Sequence, residues 1–291
     1  MTEETLYHGL YINLDRSPAR REAMEAQLEA LGLAGRYARF PAVDGATLGR
    51  RESRISPGET GAFASHMAVL AQAPRGGPVH ILEDDALLSG HVRPVIEEAI
   101  AAGLFERFDI LFTDTLLAPH LGMLKGLKAI MDRLALPPLQ PLKLSDLQVI
   151  DLAAENFSCV TSYVVAPAAM ARLSALYRAE WEAGPNTQID LFIRNCVRAG
   201  RLRAGLLFPF VTSFRLEEAA DSTVGAGVAT ARPSVMVLAV LRYLFFVGRD
   251  LEYAKACLDA ATKKNRRPVD RHHEMTVQAL EFVLSADFQT F

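Results

Sequence analysis

Residues 79–85 read Val79-His80-Ile81-Leu82-Glu83-Asp84-Asp85, a short apolar run that passes directly into three carboxylates. The apolar half has the length and composition of a buried strand, and a Gly-Gly-Pro turn precedes it. Three adjacent carboxylates repel one another at neutral pH unless a cation or hydrogen-bond donors lie among them. An oxygen-rich cluster of this kind suits Mn²⁺ or Mg²⁺. For an isolated acidic triplet, the competing interpretation is a turn that faces water.

Strands and helices alternate around this stretch. Residues 10–14 predict a strand, and Ser17-Pro18 predicts the N-cap and first residue of a helix that ends at Gly32. Further strands are predicted at 37–43, 108–112, 157–165 and 202–210, and further helices at 56–70, 92–100, 167–177 and 189–197. This order predicts an α/β fold with a mixed, mostly parallel sheet flanked by helices, whose ligands lie at the carboxyl ends of the strands.

The chain of 291 residues, half of them hydrophobic, is long enough to bury a substantial core. We expect one α/β domain over residues 1–232 and a helical extension over residues 233–291. Residues 136–141 are rich in proline and predict a long loop or small insertion.

Composition excludes several classes of function. The 31 basic and 34 acidic residues give a net charge of -3, so nothing favours nucleic-acid binding. The three cysteines have no C-x-x-C spacing, and reduced thiols suggest a cytoplasmic protein. The longest apolar run, 234–248, contains Arg242 and is too short to span a bilayer, so at most we expect peripheral contact with the membrane. The P-loop, dinucleotide, α/β-hydrolase and zincin motifs do not occur.

Other polar residues allow two interpretations each. Arg16, Arg20 and Arg21 lie at a predicted helix start, where an anion such as phosphate is favoured, but surface arginines are common. Ser56 and Glu59 have the spacing of a capping box, which is a purely structural role. A lone histidine on a helix, such as His66, is more often packed or exposed than catalytic.

Three segments in order resemble the signatures of glycosyltransferase family 25, the enzymes of lipopolysaccharide and lipooligosaccharide assembly. They are residues 11–21, 56–66 and 81–86, and a looser resemblance continues through 161–165, 189–193 and 221–224. The resemblance implies a GT-A-like nucleotide-sugar fold and a Mn²⁺-dependent (or Mg²⁺-dependent) inverting transfer of a sugar, galactose above all, from a UDP-sugar to a saccharide acceptor such as lipopolysaccharide core.

The resemblance also assigns roles to residues. Glu83 and Asp85 correspond to metal ligands, and the positions that correspond to donor binding are Asn13, Asp15, Arg20, Glu59, Ser65, His66 and Asp84. Asp190 corresponds to a later acidic position. Because an inverting transfer needs a carboxylate that removes the acceptor proton, Asp190 is the first candidate for this base and Asp114 the second.

Two other functions remain open at this point. One is a noncatalytic relative that binds a nucleotide-sugar, and the other is a metal-dependent phosphohydrolase that uses the same carboxylates. The apolar run 235–247 and the basic run 263–267 suit either an anionic membrane surface, where lipid-linked acceptors reside, or a core helix with a solvated loop. The same apolar run also suits a homodimer contact.

Overall fold

The computed structural model describes residues 6–48, 54–74, 76–117, 125–126, 142–216, 233–263 and 275. Within these residues the strands are β1 (His8–Asn13), β2 (Tyr37–Pro41), β3 (Val79–Glu83), β4 (Ala86–Leu88), β5 (Ile110–Leu117), β6 (Gln148–Asp151), β7 (Phe157–Val165), β8 (Ala204–Phe208) and β9 (Thr212–Phe214). The helices are α1 (Pro18–Ala30), α2 (Pro57–Gln72), α3 (Val92–Ala101), α4 (Leu104–Arg107), α5 (Met170–Glu182), α6 (Ile189–Arg198), α7 (Pro233–Leu244) and α8 (Leu251–Lys263).

In the described chain, seven strands form the central sheet in the order β2-β1-β3-β7-β5-β8-β6. Strand β1 is parallel to β2 and β3, and β5 is parallel to β8. Strand β7 runs antiparallel between β3 and β5, and β6 runs antiparallel to β8. Five strands therefore share one direction and two oppose it, which confirms the predicted mixed, mostly parallel sheet. Strands β4 and β9 form a small antiparallel sheet.

Hydrophobic clusters cover both faces of the sheet. On one face, Ile81 packs with side chains from α2, α5 and α6. On the other face, Leu82 packs with side chains from α1, α3 and α4. Because successive strand residues point to opposite faces, a strand buried on both sides reads as a continuous apolar run. This burial explains why residues 79–82 are all apolar except for His80.

Several helix ends follow the sequence signals. Ser56 and Glu59 form the predicted capping box at the start of α2, with the Ser56 amide donating to Glu59 Oε2 over 2.6 Å. Gly32, just beyond α1, has a φ of 66°, the left-handed conformation that favours glycine. Ser17 occupies the N-cap position of α1, but its side chain makes no capping hydrogen bond.

Three predicted boundaries were wrong. Strand β5 does not end near Thr113-Asp114 but continues to Leu117, because its polar residues are buried within the sheet and pair with β7. The strand predicted over 202–210 covers only Ala204–Phe208, since Pro209 cannot donate to the ladder. The helix predicted from Pro167 begins with a 3₁₀ turn, and α5 extends to Glu182.

The described part of the C-terminal region is helical, as predicted, and it contacts the sheet domain. The amide of Phe210 donates to the carbonyl of Phe245 over 2.9 Å, and the amide of Val247 donates to the carbonyl of Phe210 over 3.0 Å. Residues 217–232 lie outside the described residues, so the boundary between 232 and 233 stays a prediction. No helix of the described residues combines the length and apolarity needed to cross a bilayer.

Some predicted features lie outside the described residues. They are the proline-rich segment 136–141, the motif at 221–224 and the basic residues 264–267.

Candidate functional site

A cleft of about 290 Å³ opens at the carboxyl ends of β1, β2 and β3. Its walls are the β1–α1 loop, the segment after β2, the first turns of α2 and the acidic triplet. Seven of the polar residues that the sequence analysis selected as candidates line this cleft: Arg16, Arg20, Ser65, His66, Glu83, Asp84 and Asp85. The structure therefore brings together residues that are far apart in the sequence, at the sheet edge where the α/β pattern predicts ligand binding.

Asp84 is held by two predicted donor-site residues. Asn13 Nδ2 donates to Asp84 Oδ2 over 2.7 Å, and Arg20 Nη1 lies 3.3 Å from Asp84 Oδ1. Burial raises the pKa of the Asp84 carboxyl, although Asn13 and Arg20 oppose this effect. Asn13 is itself fixed by Arg39, whose Nε donates to Asn13 Oδ1 over 2.9 Å. Asp84 is thus a rigid part of the wall with both oxygens engaged.

Asp85 differs from Asp84 because one of its oxygens is unsatisfied. Its Oδ1 is buried and accepts no hydrogen bond from the residues that the structure describes. Burial and the neighbouring charges of Glu83 and Asp84 raise the pKa of Asp85 to about 7. A buried carboxylate oxygen without a partner is a suitable ligand for a divalent cation.

The described residues form no group of three or more histidine, cysteine, aspartate or glutamate side chains placed to hold a metal ion. Mg²⁺ is commonly bound through one or two carboxylates together with substrate phosphates, rather than in a protein cage. The Asp85 oxygen fits this kind of binding, in which the nucleotide supplies further ligands.

Glu83, at the end of β3, contacts a buried histidine. His66 Nε2 lies 3.4 Å from Glu83 Oε1, and His66 Nδ1 lies 2.8 Å from the Tyr163 hydroxyl. Burial on its own would raise the pKa of Glu83, but the hydrogen bond from His66, with help from Arg242 and Thr161, lowers it. Glu83 is therefore held as a carboxylate at the inner end of the cleft.

The arginines of the β1–α1 loop place positive charge at the cleft. Arg20 lines the cleft beside Asp84, and Arg16 pairs with Asp44 across the cleft wall. The N-terminus of α1 follows this loop, and the N-terminus of a helix favours an anion. A cleft with both arginines and carboxylates can bind a diphosphate together with a cation.

Two residues of the second motif explain how the wall is built. Ser65 Oγ accepts a hydrogen bond from the Val43 amide over 2.8 Å and donates to the Gly61 carbonyl over 2.7 Å. A Cβ on Gly61 would lie 2.6 Å from the Gly45 nitrogen and 2.7 Å from the Val43 carbonyl oxygen. Glycine at 61 therefore allows α2 to approach the segment after β2 and close the cleft.

Four predicted site residues do not line the cleft. Asn13 lies just behind Asp84, as described above. The Asp15 side chain is 83% exposed and pairs with Arg39. Glu59 completes the capping box and accepts a hydrogen bond from Gln188.

Asp190, the fourth, has both carboxylate oxygens bound to main-chain amides. Oδ2 accepts from the Cys159 amide over 2.9 Å, and Oδ1 accepts from the Leu191 amide over 2.8 Å. Cys159 has a φ of 74°, so Asp190 supports an unusual backbone conformation in β7. Its assignment as the catalytic base stays a prediction.

Asp114, the second candidate for the base, forms a buried ion pair. Arg242 of α7 donates to both of its oxygens, with Nε 2.7 Å from Oδ1. Asp114 is 0% exposed and Arg242 is 6% exposed, and the guanidinium carbon lies 4.3 Å from the centre of the Phe214 ring. Asp114 therefore joins α7 to the sheet.

Sequence reasoning missed Arg39, Tyr163 as a partner of His66, and Arg242. Arg39 lies within a predicted strand, where its alternation with apolar residues indicates only a surface position. Arg242 interrupts an apolar run, which is the one signal that a buried partner was needed.

The fold and the cleft define an α/β protein with a polar ligand site at the carboxyl edge of its sheet. The sequence profile of glycosyltransferase family 25, described as an LPS biosynthesis protein, matches residues 7–193. The chain belongs to this family. The matched region includes the whole wall of the cleft and ends within α6, before β8. A comparison with curated proteins gave no match. The family gives the chain a glycosyltransferase role in lipopolysaccharide biosynthesis, with a sugar donor and a saccharide acceptor.

Proposed function

We propose that this protein transfers a sugar, galactose in the first instance, from a UDP-sugar to a saccharide of the lipopolysaccharide core, with inversion at the anomeric carbon and with Mn²⁺ as the cofactor. One observation carries the proposal. The unsatisfied Asp85 oxygen lines the same cleft as Arg20 and Arg16, next to the first turn of α1. The carboxylate is a suitable ligand for the metal ion, and the arginines and the start of the helix suit the diphosphate of a metal-bound nucleotide.

The diphosphate would bind between Arg20 and the acidic triplet. Arg20 is only 17% exposed and is oriented by Asp84, so its charge is already positioned when a ligand arrives. Asn13 keeps Asp84 in place, which prevents the carboxylate from turning toward the diphosphate. Fixed charges of this kind stabilise a leaving group without reorganising during the reaction.

Asp85 and Glu83 are the proposed metal ligands. A bound Mn²⁺ would neutralise charge that develops on the departing diphosphate. Asp85 offers its buried Oδ1, and Glu83 offers the oxygen that His66 does not contact. Glu83 is the last residue of the central strand β3 and Asp85 follows it by two residues, so their carboxylates are held in place before the ligand binds.

The residue that takes the acceptor proton is proposed to be Asp190. Replacement of a general base typically lowers the rate by about 10²–10⁴-fold while substrate binding persists. Asp190→Asn keeps one acceptor oxygen but loses one of the two hydrogen bonds from the Cys159 and Leu191 amides, so the melting temperature is measured as a control for folding. The folded variant should bind the UDP-sugar yet lose transfer. Turnover near the wild-type level would rule out the role, and lost Mn²⁺ binding would move Asp190 to the metal site.

A donor screen tests the proposed activity. Purified protein is incubated with different UDP-sugars, with Mn²⁺, Mg²⁺ or EDTA, and with a core saccharide. Release of UDP and the mass of the saccharide product are measured, and NMR gives the anomeric configuration. We expect metal-dependent transfer with an inverted product. Binding without turnover would indicate a noncatalytic relative, and hydrolysis of simple phosphate esters would indicate a phosphohydrolase.

The arginine contribution is tested with a matched pair of variants. Arg20→Ala should weaken UDP binding measured by calorimetry, because it removes the positioned cation of the cleft. Arg21→Ala is the control, since Arg21 is half exposed and pairs with Glu25. Equal affinities of the two variants would place Arg20 among ordinary surface arginines.

Contact with a membrane surface through α7 and the following basic run, a homodimer through the same helices, and a cytoplasmic location stay predictions. Vesicle flotation and light scattering of the purified protein test the first two.

A further inference from the structure

His66 is almost fully buried, with 1% of its surface exposed, yet both of its ring nitrogens have polar neighbours. Nδ1 lies 2.8 Å from the Tyr163 hydroxyl, and Nε2 lies 3.4 Å from Glu83 Oε1. Tyr163 is fully buried in β7 and pairs with Ile81, two residues before Glu83 in β3. A chain of polar contacts therefore runs from the core through His66 to the acidic triplet.

The chemistry of the three groups gives these hydrogen bonds one direction when His66 is neutral. The Glu83 carboxylate can only accept, so His66 Nε2 must carry the hydrogen. In a neutral imidazole, the other nitrogen is then an acceptor, and among the residues that the structure describes the Tyr163 O–H is the donor beside it. The tyrosine hydroxyl thus selects the tautomer of His66 that can hold Glu83.

We propose that Tyr163 is a positioning residue of the cleft: through His66, its hydroxyl orients the Glu83 carboxylate toward the bound metal and diphosphate. This inference rests on the proposed function of Glu83. Tyr163 itself does not line the cleft, and its effect on ligand binding passes through two other side chains.

The hydroxyl can be removed with little change in packing. The Tyr163 ring stacks on His66 with centroids 5.7 Å apart and contacts Phe112 at 5.9 Å. Phenylalanine retains these ring contacts, so Tyr163→Phe removes only the hydroxyl, which contacts His66 Nδ1 and also the Tyr177 hydroxyl. Tyr177→Phe removes the second contact alone and serves as a further control. The chain also contains a matched control. Tyr37 contacts His80 Nδ1 over 2.7 Å, also in the core, but His80 extends to the opposite face of β3 from Glu83.

The first measurement is a long-range ¹H–¹⁵N spectrum of the ligand-free protein, which reports the tautomer of each histidine. We expect His66 to carry its hydrogen on Nε2. Tyr163→Phe should broaden or shift the His66 signals, whereas Tyr37→Phe should leave them unchanged. A hydrogen on Nδ1, protonation of both nitrogens, or an unchanged His66 spectrum in Tyr163→Phe would overturn the proposal.

The second measurement is a double-mutant cycle for binding of UDP with Mn²⁺, by calorimetry. Loss of a residue that orients a metal ligand typically costs about tenfold or more in affinity. We expect Tyr163→Phe to weaken binding by about tenfold and to add nothing in a Glu83→Gln background. Penalties that simply add, or a Tyr163→Phe affinity equal to that of Tyr37→Phe, would contradict positioning through Glu83.

The two measurements separate the inference from the proposed function. If the wild-type protein binds neither Mn²⁺ nor UDP, the proposed function of the cleft fails. The spectrum of the ligand-free protein still decides whether Tyr163 sets the tautomer of His66.

Discussion

Asp85→Asn should stabilise the ligand-free protein while it abolishes metal-dependent nucleotide binding. The charged carboxylate is unfavourable where it lies, because burial and the charges of Glu83 and Asp84 raise its pKa from 3.8 to about 7. The asparagine side chain has nearly the same shape and carries no charge. The substitution therefore removes the repulsion without leaving a cavity.

The magnitude follows from the shift in pKa. Each pKa unit corresponds to about 1.4 kcal/mol, so the full shift would be worth roughly 4 kcal/mol. Asp85 as a whole residue is only half-buried, although its Oδ1 is buried, so solvent screening reduces this to about 2 kcal/mol. A raised folded-state pKa means that the unfolded carboxyl loses its proton first as the pH rises. The stability that protonated Asp85 gives is therefore full below pH 3.8 and lost as the pH rises to about 7.

The assay is urea denaturation of both proteins between pH 5 and pH 8, without divalent metal. The advantage of Asp85→Asn should grow with pH and level off above pH 7. Addition of Mn²⁺ and UDP should then stabilise the wild-type protein but not the variant. Ligands stabilise a protein by binding its folded state, and the variant no longer binds them. A variant less stable than wild type at pH 8, or one that responds equally to Mn²⁺ and UDP, would refute the reasoning.

The remaining predictions concern stability away from the acidic triplet. Burial lowers the pKa of His80 from 6.5 to about 3, so as the pH falls the unfolded state takes up a proton that the folded state does not. The free energy of unfolding should therefore fall by about 2 kcal/mol between pH 8 and pH 5. Urea denaturation should show a clearly smaller fall in His80→Gln. Gly61→Ala should cost about 1–3 kcal/mol through backbone overlap, whereas Gly35→Ala, with open space at its Cβ, should not; equal melting temperatures would contradict this. Arg242→Met should lower the free energy of unfolding by about 3–5 kcal/mol because it leaves the buried Asp114 carboxylate unpaired. Adding Asp114→Asn to this variant should recover part of the loss. A penalty that persists unchanged in the double variant would argue against the ion pair.

The sheet could be predicted because its signals are local. Continuous apolar runs bounded by Gly, Pro and Ser marked β1, β3 and β7, and the capping box marked α2. Strand β5 was predicted too short because Thr113-Asp114-Thr115 is polar. Its burial depends on Arg242, which lies far along the chain, and no local pattern contains that partner.

The site could be predicted in its residue types but not in all of its contacts. The triplet, Arg20, Ser65 and His66 meet in the cleft because they follow or face neighbouring strand ends. The sequence did not distinguish three adjacent carboxylates from one another. In the structure Asp84 is bound by Asn13 and Arg20, whereas Asp85 keeps a free buried oxygen. Such differences come from tertiary contacts between β1, α1 and β3.

The most direct test of the account is calorimetric titration of UDP into the wild-type protein, with Mn²⁺ and then with EDTA. We expect binding that requires the metal, since the Asp85 oxygen and Arg20 together recognise a cation and a diphosphate. Binding of equal strength in EDTA would contradict the metal site, and no binding under either condition would contradict the assignment of the cleft to a UDP-sugar.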